Sequence, residues 1–128
     1  MDKQIVAEIK SGEVYYTDHK EKIDALTWNE HPSFQGVFLK HLITGKETGG
    51  AFSTHFVHVR KGCAIERHIH EGKWELHEIV DGQGECVIVE KTIQYQAGVM
   101  ALIPPDMEHI VKAKTDLYIL AKFIPALL

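Results

Sequence analysis

The sequence predicts an all-β fold, either a sandwich or a barrel, and three observations lead to this prediction. From about residue 51 onward, short runs of alternating apolar and polar residues are separated by Gly, Pro and Asp, which is typical of short strands joined by turns. No segment after residue 50 has the 3.6-residue period of an amphipathic helix. Several short strands without a long helix favour packed antiparallel sheets.

Five runs in this part of the chain are interpreted as strands or hairpins: AFSTHFVHVRKG, WELHEIVDGQG, ECVIVEKTIQYQAG, VMALIPPDMEH and DLYILAKFIPALL. In the first run, Arg60 is expected to face the solvent, so that His55, Val57 and Val59 face inward on the pleat. The fourth run contains paired prolines. They are expected to end the strand, because proline cannot donate a hydrogen bond to a central strand ladder.

The first fifty residues give weaker signals. EIKSGEVYYT is a candidate early strand, and DHKEKIDALTW is either a short helix capped by Asp18 or an extended arm. EHPSFQGVFLKHLITGKETGG resembles a hairpin with a Gly-rich turn. We therefore expect a single domain over residues 1–128, with an N-terminal arm or extra strands at 1–35 and a barrel from about residue 36 to 128.

Composition excludes several classes of protein. The 128 residues are 45% apolar, which suffices for the core of one domain, and the net charge of −4 argues against nucleic-acid binding. The opening MDKQIVAEIK lacks the layout of a secretory signal, and no apolar run has bilayer length. Cys63 and Cys86 are too few for a disulfide framework. These features predict a cytoplasmic protein without nucleic-acid or membrane partners.

The segment GCAIERHIHEGKWE contains the strongest functional signal. His68 and His70 are two residues apart, so both point to the same face if they lie on a strand. Gly72 permits a turn, and if the next run folds back antiparallel, Glu75 lies opposite the histidines at about 5 Å between Cβ atoms. Imidazoles and a carboxylate suit a divalent transition metal. His109, which follows the paired-proline bend, is the candidate fourth ligand.

The spacing of these residues resembles the cupin superfamily. Gly62, His68, His70, Glu75 and Gly82 are separated by five, one, four and six residues, as in the first cupin signature.

The second signature is matched by Gly98, Pro104, Asp106 and His109, which are separated by five, one and two residues. Asp106 stands where the family often has Gly, and a turn tolerates Asp because this residue visits left-handed conformations. Ala113 stands where the family commonly has Asn, which is not a metal ligand.

The resemblance implies a small jelly-roll barrel (a double-stranded β-helix, as in RmlC-like proteins) with a metal ion near its axis. The ligands that it implies are His68, His70, Glu75 and His109, around one ion of Fe, Mn, Ni, Co or Zn with one or two coordination positions open. The alternative is a metal-free member whose polar residues bind water or a ligand instead.

Three further residues are candidates for binding or catalysis. His77 shares the inward face with Glu75 and is expected to act as a general base, a metal-site neighbour or a substrate donor, unless it is an ordinary core histidine bonded to a carbonyl. His55 has the same alternatives, and we expect it to contact substrate or to be a core residue. Arg67 is a candidate clamp for an anionic substrate, although its parity is opposite to that of His68.

Cupin-like barrels commonly pair, so the resemblance also implies a homodimer to which the N-terminal arm contributes. Apolar arm residues would be costly if they were exposed in a monomer, namely Val14, Tyr15, Tyr16, Leu26 and Trp28. Trp74, with outward parity, is a further candidate for the interface.

Three functions remain open. The first is a small metalloenzyme of dioxygenase, isomerase or decarboxylase type that acts on a small organic molecule, with His77 handling a proton. The second is a non-catalytic sensor or binder of small molecules, and the third is a metal-supported structural dimer. The scarcity of arginine argues against phosphosugar substrates, which need several cationic groups.

Overall fold

The computed structural model describes residues 4–128; the first three residues of the opening segment MDKQIVAEIK lie outside the described residues. The elements are α1 (Gln4–Lys10), β1 (Glu13–Tyr15), β2 (Lys20–Lys22), a 3-10 turn (Ile23–Ala25), β3 (Trp28–Glu30), β4 (Val37–Ile43), α2 (Gly45–Thr48), β5 (Ser53–Val59), β6 (Ala64–His68), β7 (Trp74–Asp81), β8 (Gln83–Ile88), β9 (Lys91–Gln96), β10 (Met100–Ile103), β11 (His109–Ala113) and β12 (Leu117–Ile124). None of the helices within residues 4–128 combines the length and the apolar character that crossing a bilayer requires.

The strands form two facing antiparallel sheets, which confirms the predicted all-β jelly-roll class. One sheet has six strands in the order β10-β7-β12-β5-β4-β3, and the other has four in the order β6-β11-β8-β9. A separate two-stranded ribbon joins β1 to β2. The main core lies between the two large sheets and contains Val37, Val57, Val59, Ile79, Cys86, Tyr95, Ala101, Val111, Ala113, Leu117, Ile119, Ala121 and Phe123.

Strict alternation along β7 and β12 determines which side chains enter this core. In β7, Glu75, His77 and Ile79 are buried, while Trp74 is exposed, as the parity predicted. The chain passes from β7 into β8, which belongs to the other sheet, at Gly82, where φ is +92° and a Cβ atom would lie 2.0 Å from the carbonyl oxygen of Asp116. Only glycine fits this position.

Of the two alternatives for DHKEKIDALTW, the helix capped by Asp18 is wrong. The segment is the extended arm, with the short strand β2 and a single 3-10 turn. EIKSGEVYYT contains the end of α1 as well as the predicted strand, which is the short β1. The arm has too few residues per element to sustain a longer helix, and packing against the sheet determines its conformation instead.

The arm covers the outer face of the six-stranded sheet. Val6 and Ile23 are buried against Leu42 and Phe56 of that sheet, and Val14, Leu26 and Trp28 pack against the same cluster. Val14, Leu26 and Trp28 therefore do not need a second chain to cover them, because they pack against the sheet of their own chain. For these three residues the expectation is wrong. Among the five arm residues that suggested an interface, Tyr15 is the exposed one, at 70%.

Candidate metal centre

The structure brings His68, His70, Glu75 and His109 together at one end of the space between the sheets. One potential ligand atom from each of these residues lies within 4.8 Å of the others. Glu75 and His109 are buried, and His68 and His70 are partly exposed. The cluster is compatible with a single metal ion, as the spacing of the motifs predicted.

The two sheets contribute different ligands. His109 begins β11 and pairs with His68 at the end of β6, both in the four-stranded sheet. Glu75 belongs to β7 of the six-stranded sheet, whose neighbours are β10 and β12. The expected antiparallel pairing of the His68 strand with the Glu75 strand is therefore wrong. β6 pairs with β11 and not with β7, so the side chains of the cluster meet across the gap between the two sheets.

His70 lies beyond the end of β6, in a turn that Asp106 holds in place. The carboxylate of Asp106 accepts a hydrogen bond from the backbone N–H of Gly72 at 3.0 Å, and the Asp106 N–H donates to the carbonyl of His70 at 3.3 Å. Asp106 has φ of +65°, the left-handed conformation that the sequence predicted for it. Because this position has Asp where the family often has Gly, a side-chain hydrogen bond links the segment of the second signature to that of the first.

Backbone carbonyls fix the orientation of two ligand imidazoles. Nδ1–H of His68 donates to the carbonyl of Glu66 at 2.7 Å, and Nδ1–H of His109 donates to that of Met107 at 3.1 Å. In a neutral imidazole with the proton on Nδ1, Nε2 carries a lone pair. Both rings therefore present a metal-binding nitrogen toward the cluster, as histidine ligands commonly do.

Two buried atoms of the cluster have no hydrogen-bond partner within residues 4–128. They are Oε1 of Glu75 and Nε2 of His109, which lie 3.1 Å apart without hydrogen-bond geometry. Nε2 of His70 lies 3.6 Å from the same carboxylate oxygen. Buried lone pairs that face one another are unfavourable unless a positive charge lies between them. This donor set therefore fits a divalent cation.

The electrostatics of the site favour a positive charge among these residues. Burial, together with the neighbouring His109, lowers the pKa of His68 to about 4, so His68 is neutral and able to bind a metal. Burial raises the pKa of Glu75, but His77 and His109 outweigh this effect and hold the net pKa well below its usual range. Burial lowers the pKa of His109, but Glu75 raises it more, because the carboxylate favours a positive charge at this place.

A hydrogen-bonded chain extends from Glu75 into the core. Nε2–H of His77 donates to Oε2 of Glu75 at 2.6 Å, and Nδ1 of His77 lies 2.8 Å from the hydroxyl of Tyr95. Tyr95 is 1% exposed and contacts the buried Cys86. Tyr95 lies outside both sequence signatures, but two observations could have indicated it: Ile93 and Tyr95 alternate with polar residues in β9, and a buried tyrosine hydroxyl needs a partner.

A cavity of about 160 Å³ adjoins the cluster. Its lining residues are His31, Val37, Leu39, Val57, Ile65, His68, His70, Glu75, His77, Ile119, Ala121, Phe123 and Leu127. The wall is mainly apolar, and no lysine or arginine belongs to this lining. His31 belongs to neither sequence signature, and the arm brings it to the cavity.

Two of the predicted substrate-binding residues lie elsewhere. Arg67 is on the surface, where its guanidinium donates to Glu108 at 2.6 Å. His55 is fully buried, and its ring nitrogens lie 2.7 Å from Nδ1 of His41 and 2.8 Å from the hydroxyl of Ser53. Neither residue is among those that line the cavity, because each is engaged by its own neighbours.

Comparison with solved structures shows the same architecture. A predicted oxalate decarboxylase from Thermotoga maritima is 22% identical, with a TM-score of 0.73 over 81% of this chain and 96% of that chain. KdgF from Halomonas sp. is 18% identical, with a TM-score of 0.70 over 80% of this chain and 90% of that chain. An RmlC-like cupin from Shewanella frigidimarina is 16% identical, with a TM-score of 0.73 over 90% and 95% of the two chains.

Comparison with curated proteins finds no match. At the level of sequence families, the model described as "Cupin domain" matches residues 55–121, which is just over half of the chain. This match contains all four residues of the cluster, and together with the two-sheet architecture it shows that the chain belongs to the cupin family.

Proposed function

We propose that this protein is a small metalloenzyme that holds one divalent transition metal ion and acts on a small organic molecule in the adjoining cavity. The observation that carries this proposal is the pair of partnerless buried atoms, Glu75 Oε1 and His109 Nε2, next to a cavity that Glu75 helps to line. The ligand residues would be His68, His70, Glu75 and His109. A bound transition metal supplies Lewis-acid polarisation of an oxygen ligand or activation of dioxygen, which fits dioxygenase, isomerase or decarboxylase chemistry.

His77 has a defined role in this proposal. Its Nε2–H donates a hydrogen bond to Oε2 of Glu75. The other carboxylate oxygen, Oε1, therefore points toward the proposed histidine ligands. His77 also lines the cavity, where it is placed to hold or move a proton of a bound molecule.

Among the reaction types already expected, the decarboxylase class has a counterpart in a structural neighbour that is described as a predicted oxalate decarboxylase. The cavity of this chain does not favour a doubly charged dicarboxylate, because no lysine or arginine lines it and Glu75 already contributes a negative charge. We therefore favour a substrate with at most one negative charge.

A second candidate is a non-catalytic binder or sensor of small molecules. The observation in its favour is that both ring nitrogens of His77 already make contacts within the chain, one with Glu75 and one with Tyr95. A metal-supported structural dimer is the third candidate. An oxygen-consumption screen of metal-refilled protein against small diols, thiols and keto acids separates the first two. Substrate-dependent oxygen uptake supports an oxygenase, and tight ligand binding without turnover of any kind supports the binder.

A homodimer in the cytoplasm is part of the same proposal. β10 is an edge strand of the six-stranded sheet, and its outward side chains Met100 and Leu102 are 64% and 59% exposed. Trp74 and Ile124, which are register partners on the same sheet, are exposed as well. An uncovered apolar edge strand invites pairing, and a second copy related by a two-fold axis presents the same edge. The arm leaves this part of the outer face uncovered.

A further inference from the structure

His31 is the one polar residue in the lining of the cavity that belongs neither to the metal cluster nor to the Glu75–His77 contact. It follows β3 and is held by one backbone hydrogen bond and one ring contact. Its N–H donates to the carbonyl of Val37 at 2.7 Å, and its ring is stacked on Phe34 with 4.4 Å between centroids. The arm therefore delivers an ordered imidazole to the cavity wall.

The tautomer of His31 follows from its neighbour. The backbone N–H of Ser33 donates to Nδ1 of His31 at 3.1 Å, so Nδ1 carries a lone pair and the neutral ring has its proton on Nε2. Burial lowers the pKa of His31, which favours this neutral form. Nε2–H makes no hydrogen bond within residues 4–128. It is thus a donor without a partner, whereas the other cavity histidines are engaged at the cluster or by Tyr95.

The charge and volume of the cavity limit what it can accept. A divalent ion together with ionised Glu75 leaves a net charge of about +1, and no basic side chain in the lining adds to it. The volume of about 160 Å³ is close to that of an engineered apolar cavity of about 150 Å³ that holds benzene. Apolar walls formed by residues such as Val57, Ile119 and Phe123 favour a compact hydrocarbon body.

We propose that His31 is a ligand-binding residue whose Nε2–H donates a hydrogen bond to an acceptor atom on the body of a metal-held molecule. The class of ligand is a small, neutral or singly negative oxygen chelator with a compact ring-sized body that carries a further acceptor away from the chelating oxygens. This inference rests on the proposed function, because the metal ion holds the chelating end.

Two probes test this assignment with the full chain loaded with zinc. Maltol and tropolone are similar-sized, singly negative oxygen chelators, but only maltol has a ring oxygen opposite its chelating edge. Calorimetry measures the affinity of each probe for the wild type, for His31→Leu, for His31→Gln, and for His19→Gln as a control on an exposed arm histidine. Zinc content and circular dichroism of every variant verify that the site and the fold are intact.

For one neutral hydrogen bond, we expect His31→Leu to weaken maltol binding by about three- to ten-fold and to change tropolone binding by less than about two-fold. His31→Gln, which keeps an N–H donor, retains most of the maltol affinity, and the control equals the wild type. Three results would overturn this inference and leave the proposed function standing. They are unchanged maltol binding in His31→Leu, equal losses of affinity for the two probes, and a zinc-loaded wild type that binds neither probe. Wild type that holds no metal would overturn the proposed function and this inference with it.

Discussion

Oε2 of Glu75 and Nε2 of His77 lie 2.6 Å apart, and both side chains are almost fully buried on the inward face of β7. This contact divides the two oxygens of Glu75 between different partners. Oε2 accepts the His77 hydrogen bond, and Oε1 is directed at the imidazoles of His70 and His109. In the proposed metal site, Glu75 would therefore offer a single oxygen, which would leave space for a bound molecule.

His77→Ala removes the partner of Oε2 and frees the carboxylate to rotate. Loss of a residue that orients a metal ligand commonly lowers metal affinity by about 10- to 100-fold, and we expect a loss of this size. Saturating metal still gives about one ion per chain, since all four ligands remain, and turnover falls. Competition against a chelator of known affinity measures the change. An affinity equal to that of the wild type would contradict the role assigned to His77.

Tyr95→Phe removes the hydroxyl beside Nδ1 of His77 and leaves the ring in place. We expect the free energy of unfolding to fall by about 1 kcal/mol, the usual size for one buried hydrogen bond. Metal affinity is expected to fall less than in His77→Ala. Tyr15→Phe is the matched control, because the hydroxyl of Tyr15 contacts Glu13 at 3.2 Å on an exposed ribbon. Urea unfolding measures the free energy of unfolding of both variants. Equal values for Tyr95→Phe and Tyr15→Phe would refute the prediction.

Asp106 offers a test of how the His70 turn is held. Asp106→Gly keeps the left-handed backbone accessible but removes the hydrogen bond to Gly72, at a cost of about 1 kcal/mol in unfolding free energy. Asp106→Ala adds the strain of a left-handed alanine, about 1–2 kcal/mol more. Metal affinity is expected to fall in the same order. If Asp106→Ala is as stable as Asp106→Gly, backbone strain at this turn is not the cause.

The dimer proposal predicts that a charge on the free edge strand separates the subunits. Leu102→Lys introduces a cation at the exposed face of β10, and light scattering is expected to give the mass of one chain, against two for the wild type. Tyr15→Lys is the control, because it places the same charge on the exposed arm ribbon. Dissociation by Tyr15→Lys with no effect of Leu102→Lys would mean that the arm forms the interface instead.

The sequence predicted the cluster of three histidines and Glu75 better than it predicted the strand pairing that assembles it. Parity along a strand tells which face a residue occupies, and this was sufficient for Glu75 and His77. Parity does not tell which strands become neighbours, because pairing depends on long-range contacts. For this reason the predicted pairing between the strands of His68 and Glu75 was wrong even though the side chains meet.

The arm was the least predictable part of the chain. Its elements are three to seven residues long, which is too short for periodicity to separate a strand from a helix. Apolar residues such as Val14 and Trp28 could have covered either a second chain or this chain's own sheet, and only the structure decides for the latter. The position of His31 at the cavity could not be predicted either, because it depends on how β3 joins the six-stranded sheet.

Metal content is the measurement that tests the central claim most directly. The protein is depleted with a chelator, refilled separately with Fe, Mn, Ni, Co and Zn, freed of unbound ion, and analysed for each element. We expect about one ion per chain in the wild type for at least one metal, and most of that occupancy to be lost in His70→Ala, with His19→Ala as the control. Equal occupancy in the wild type and in His70→Ala, or no bound metal in the wild type, would contradict the assignment of this cluster.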